Sequence, residues 1–128
     1  IDEGKGETIL ALHGEPSWSY LYRKFIPTLK NYRFIAPDLI GFGKSDKIVG
    51  WKNYSFELHF RSLENLIKKL NLNEITLIVQ DWGGLLGLSL LGEYPNRFKI
   101  KFWNKNLTSE FLKYGTSFAD RRSENECF

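Results

Sequence analysis

The sequence predicts an α/β fold with a mostly parallel sheet, and three observations predict it. Short apolar runs alternate with helix-patterned stretches along the chain, the arrangement that lays helices over a parallel sheet. Residues 75–79, Ile-Thr-Leu-Ile-Val, form a continuous apolar, β-branched run, as expected of a strand buried on both faces. Phe56, Phe60, Leu63, Ile67 and Leu70 recur at steps of four and three, which draws one apolar stripe along a helix.

Each element follows in order. Residues 8–12 are a short apolar strand ending at His13-Gly14. Residues 20–29 read as a helix, with Ser17 or Ser19 as its N-cap. Residues 33–36 are a second strand, stopped by Pro37. Asp38 to Asp46 is a glycine-rich loop, and Ser55 is placed to cap the striped helix. After the strand at 75–79 comes a sharp turn, Gln80-Asp81-Trp82-Gly83-Gly84, then a helix from about Leu85 to Tyr94 that ends before Pro95. Residues 98–103 are one further strand candidate. From Asn104 onward isolated aromatics sit among polar residues and the periodicity fades. The division is therefore a core at 1–103 and a divergent tail at 104–128.

Composition excludes several classes. With 42% apolar and 26% charged residues the 128-residue chain is globular rather than disordered. Its apolar runs are far too short to cross a bilayer. The net charge of +3 is scattered, which argues against nucleic acid as a partner. Cys127 is the single cysteine, so neither an internal disulfide nor a metal cluster is expected, and no cofactor is implied. Ile1-Asp2-Glu3-Gly4 has no basic-then-apolar leader pattern, and the cytoplasm is the expected compartment.

The chemistry concentrates at Gln80-Asp81-Trp82-Gly83-Gly84. A buried strand, a tight turn and a helix have the form of a nucleophile elbow, in which strain lifts one side chain clear of the sheet edge. Asp81 holds the nucleophile position, and Val79 stands where the usual first glycine would be. A carboxylate there can displace a good leaving group from an sp³ carbon and form an ester. The bland alternative is that Asp81 merely caps the next helix. The second signal is His13-Gly14-Glu15-Pro16 after the first strand, where a loop can supply a backbone N–H to an oxyanion. That donor would be Glu15, since Pro16 has none; taken alone, the segment reads as an ordinary turn. Trp82 alone reads as packing, as do Trp18 and the following tyrosines, although Trp18 could border an active-site mouth. His59 reads as a boundary residue of its helix with a satisfied hydrogen bond. Gly41-Phe42-Gly43 lacks the spacing of a phosphate loop and reads as a turn.

Together, His13 through Arg23 (HGEPSWSYLYR), Pro37 through Asp46 (PDLIGFGKSD) and Val79 through Gly84 (VQDWGG) resemble haloalkane dehalogenases in order and spacing. The resemblance runs from about Thr8 to Lys99. It implies a three-layer α/β-hydrolase sandwich and hydrolysis of small haloalkanes to alcohol and halide through an aspartyl-alkyl ester. It makes Asp81 the nucleophile, the Glu15 and Trp82 N–H groups the oxyanion hole, and the Trp82 indole one of two donors to the halide. The partners implied are a small haloalkane, water and halide, with no metal, nucleic acid or membrane.

The family's catalytic histidine and the acid that orients it come later in the family sequence, and neither His13 nor His59 matches that histidine. The cap, with the second halide donor, is likewise not matched, so the sandwich is expected to be incomplete. The tail is open to three readings: a translated frameshift, a truncated product or a short divergent cap. The 128-residue chain alone is expected to be poorly stable and inactive. Epoxide hydrolases, which share the aspartate elbow and the His-Gly-x-Pro loop, are the enzymatic alternative; the Gln80 and Glu15 variants favour the dehalogenase. A catalytically dead remnant is the alternative outside catalysis.

Overall fold

The computed structural model describes residues 1–99; the remainder of the 98–103 strand candidate, the tail and Cys127 lie outside the described residues. Four strands form one sheet in the order β1-β3-β2-β4. They are β1 (Asp2–Glu3), β2 (Thr8–Leu12), β3 (Arg33–Ile35) and β4 (Thr76–Val79). β2 runs parallel to both β3 and β4, and β1 pairs antiparallel with β3. The mostly parallel sheet is as the sequence predicts; β1 is an addition to the sequence reading.

β2 is the strand covered on both faces, since all five of its residues are buried. Its side chains alternate between two cores, as the two-residue period of a strand requires. Leu10 and Leu12 pack with Phe60, Leu63, Ile67, Leu86 and Leu90 on one face. Ile9 and Ala11 pack with Tyr22, Phe34 and Ala36 on the other. The run at 75–79 was expected to hold that doubly covered place and does so only at Ile75, which is fully buried. From Thr76 onward β4 is partly open. Among the described residues only β2 flanks it as a strand, and its outer edge is met at Ile75 alone, by an isolated parallel bridge to Phe98.

The helices show where local pattern suffices. α2 (Phe56–Lys69) begins at Ser55, whose Oγ accepts from Leu58 N–H at 3.1 Å, a cap worth about 1 kcal/mol. Its predicted stripe buries Phe60, Leu63 and Ile67. The expected helix over 20–29 is instead a 3₁₀ turn (Ser19–Tyr22) followed by one short turn, α1 (Phe25–Thr28). Pro27 gives the reason: it lacks an N–H and its ring opposes the carbonyl four residues back, so one helix cannot run through. Neither Ser17 nor Ser19 caps it. The Ser17 hydroxyl donates to the Gly14 carbonyl, and the Ser19 N–H donates to Asp38 Oδ1. α3 (Trp82–Glu93) starts three residues earlier than the sequence suggested.

α2 and α3 are tied by Glu64, a nearly buried carboxylate. It accepts from the Tyr94 hydroxyl just past α3, and from Arg61 and Lys68 on its own helix. The Tyr94 bond chiefly, with Lys68 and Arg61, overcomes burial and holds Glu64 at about 2 instead of 4.5. A depressed carboxylate stabilises the fold fully above its unfolded value and loses that contribution as pH falls through the folded one. Stability supplied by Glu64 should therefore fade between about pH 4.5 and pH 2. Denaturant midpoints in that window should fall more steeply for the natural chain than for Glu64→Gln, which should already be weaker at neutral pH. Parallel curves would contradict this.

Candidate active site

Pairing of Leu12 with Val79 brings the C-terminal ends of β2 and β4 side by side, the edge at which open α/β sheets bind ligands. From β2 issues the loop at 13–16, and from β4 the turn at 80–84. Asp81 is the hinge of that turn, with φ 52° and ψ −121°. A non-glycine residue there is strained, at a cost of roughly 1–3 kcal/mol. It is therefore not an ordinary helix cap, and its side chain makes no capping hydrogen bond.

The two segments meet through successive residues. Gly14 N–H donates to Gln80 Oε1, and Glu15 N–H donates to Asp81 Oδ2, both at 3.0 Å. The direction of the Glu15 N–H follows from its peptide plane. The Gly14 carbonyl accepts from Ser17 N–H, the Ser17 hydroxyl and His13 Nδ1. In a trans peptide the N–H points opposite to the C=O, so holding the carbonyl aims the Glu15 N–H across to Asp81. Close approach requires glycine twice. A Cβ on Gly14 would lie 2.5 Å from Asp81 Oδ2, and one on Gly83 would strike the Leu12 carbonyl and lie 2.7 Å from that of His13. Gly84 meets no such limit, so only the first glycine of the pair is sterically demanded.

The histidines have other tasks. His13 is fully buried. Leu39 N–H donates to its Nε2 at 2.9 Å, so Nδ1 carries the proton and donates to Gly14. His13 thus fastens the 13–16 loop to the loop after β3. His59 departs from expectation: it is 8% exposed, and its Nδ1 is buried with no hydrogen-bond partner among the described residues. Burial lowers its pKa. Neither histidine is hydrogen-bonded to Asp81.

Asp38 is a residue the sequence reading missed. Its Oδ1 accepts from Ser19 N–H and its Oδ2 from Lys44 N–H, each at 2.8 Å. Burial would raise its pKa, but the Lys44 and Ser19 bonds prevail and the carboxyl titrates below its ordinary value. Asp38 folds the 38–46 loop around itself, and Gly41–Gly43 is the turn expected there. A cleft of about 340 Å³ beside Asp38 and His59 is lined by no residue of the 13–16 loop or the 80–84 turn.

Trp82 is the first residue of α3, next to Asp81, and is 40% exposed. Trp18 is also partly exposed and stacks on Tyr20, with ring centroids 5.9 Å apart. Among the described residues no cluster of His, Cys, Asp and Glu has the makings of a metal site, and no helix is long and apolar enough to cross a membrane.

A sequence model of the alpha/beta hydrolase fold matches residues 7–99, which hold both segments of the site. The chain belongs to the alpha/beta hydrolase family. A haloalkane dehalogenase of Psychrobacter cryohalolentis is 51% identical over 102 residues, 77% of this chain and 34% of that protein. The structure of the haloalkane dehalogenase DpaA from Paraglaciecola agarilytica, described as tetrameric, superposes with a TM-score of 0.74 at 51% identity. It too is matched over 77% of this chain and 34% of its own. A Bacillus megaterium epoxide hydrolase matches 77% of this chain and 35% of its own, with a TM-score of 0.69 at 32% identity. The chain thus spans about a third of the length of these relatives. Asp81 stands at the strained turn between β4 and α3, within the residues that the family model matches.

Proposed function

We propose that this chain carries the nucleophile-bearing part of a haloalkane dehalogenase. The contact of Glu15 N–H with Asp81 Oδ2, at a strained elbow, is the observation that carries the reading. An Asp81 oxygen attacks the carbon bearing the halogen, the carbon–halogen electron pair leaves as halide, and an alkyl ester remains on Asp81. Water then adds to the carboxyl carbon of the ester. The oxyanion formed takes hydrogen bonds from the Glu15 and Trp82 N–H groups. Collapse expels the alcohol and restores the carboxylate. The Trp82 indole N–H holds the departing halide. The water step needs a base, and the bonds of His13 and the place of His59 suit neither to that role.

The greater identity to dehalogenases supports this reading over epoxide hydrolysis, which the same elbow can serve. The test is a hybrid in which residues 7–99 replace the matching part of a full-length dehalogenase. Halide release from bromoethane without diol formation from styrene oxide is expected. Diol formation without halide release would favour the epoxide hydrolase. A folded hybrid inert to both would favour a catalytically dead segment.

A further inference from the structure

We infer that Gln80 is a positioning residue that sets the oxyanion donor on the neighbouring Asp81; its kinetic consequence rests on the dehalogenase reading. Two consecutive N–H groups of the 13–16 loop face two consecutive side chains of the elbow. Gly14 pairs with Gln80 and Glu15 with Asp81, each at 3.0 Å. Gln80 is itself held at both backbone ends. Its N–H donates to the Leu12 carbonyl at 3.1 Å, and its carbonyl accepts from Gly83 N–H at 3.0 Å. Its side chain is therefore rooted in the β2–β4 pairing and in the first turn of α3.

That anchoring has two effects. It fixes the peptide preceding Gly14, and the Gly14 carbonyl is fixed from the other side by His13 and Ser17. Glu15 N–H is left one direction. It also occupies the Gly14 N–H. Were that group free, it would be a second donor beside Asp81, and a carboxylate holding more hydrogen bonds in the ground state is a poorer nucleophile. A neutral amide oxygen performs this task without placing a like charge beside the nucleophile.

Gln80→Met removes the acceptor at similar length, and Gln80→Glu keeps an acceptor. In the hybrid enzyme, Gln80→Met should lower kcat by about 10-fold to 100-fold, because a displaced donor fails the oxyanion. KM should fall with it as the alkyl-enzyme accumulates, so kcat/KM should change less. Gln80→Glu should recover most of kcat. In the ¹⁵N-labelled 128-residue chain, Gln80→Met should speed solvent exchange of the Gly14 amide about tenfold or more. It should also shift the Glu15 amide resonance. Unchanged kcat in Gln80→Met, no recovery in a folded Gln80→Glu, or unaltered Gly14 and Glu15 amides would each overturn the inference. No dehalogenase activity in the hybrid, with the amides of the 128-residue chain responding as stated, would instead remove the functional reading and leave the positioning role standing.

Discussion

In a single turnover in ¹⁸O-labelled water, the hybrid enzyme should release first an alcohol that carries no label. On the proposed mechanism the oxygen of that alcohol comes from the Asp81 carboxylate, because water would attack the carboxyl carbon and not the alkyl carbon. The label should be found in the peptide containing Asp81, and alcohol from later turnovers should carry it. The 128-residue chain itself should form the ester slowly and keep it, since neither His13, engaged with Gly14 and Leu39, nor His59 on α2 is bonded to Asp81. Mass spectrometry should then show one alkyl group on that peptide and at most one halide released per chain. Asp81→Ala should abolish adduct and halide together. Labelled alcohol in the first turnover would mean direct attack by water, and steady turnover by the 128-residue chain would mean that a base has been overlooked.

Gly83→Ala should be among the most damaging small substitutions in the chain. A methyl group at this position meets the carbonyls of Leu12 and His13, and backbone at the end of a buried strand cannot rotate aside. Relief requires α3 to move off β2, which separates Leu86 and Leu90 from Leu10 and Leu12 in the shared core. Overpacking of this kind costs about 1–3 kcal/mol, and more when backbone is displaced. Gly92→Ala is the matched control: nothing lies within 4 Å of its added carbon, and alanine favours a helix by up to about 1 kcal/mol over glycine. Thermal midpoints should therefore move in opposite directions for the two variants. A common direction would show that helix propensity, and not the approach of α3 to β2, governs these positions.

Local pattern carried the sequence reading where structure is local. α2 was legible because Ser55 and the stripe from Phe56 to Leu70 lie within one stretch of chain. The elbow was legible because an apolar run, Asp81 and two glycines are contiguous. The break at Arg23–Lys24 had its signal in Pro27, which the apolar pattern outweighed in the reading. The exposed outer part of β4 was not legible, since a β-branched run reports only that a strand forms and not how many neighbours it has. Asp38 was missed because its partners Ser19 and Lys44 flank it from both sides at distances no motif records. Gly14 read as a turn residue, but the need for glycine there comes from Asp81, which no pattern near Gly14 announces. That His59 Nδ1 has no hydrogen-bond partner among the described residues likewise depends on packing between elements.

The bond between Glu15 and Asp81 joins residues 66 apart in sequence, and it exists only after β4 has zipped onto β2. Such distant parallel pairing is slow to form, because the closure entropy of the intervening chain comes before any reward. Under the proposed function, the Asp81 carboxylate is therefore oriented late in folding, once β2 and β4 are paired. An alkyl ester at Asp81, as proposed, would thus report that the β2–β4 pairing is complete.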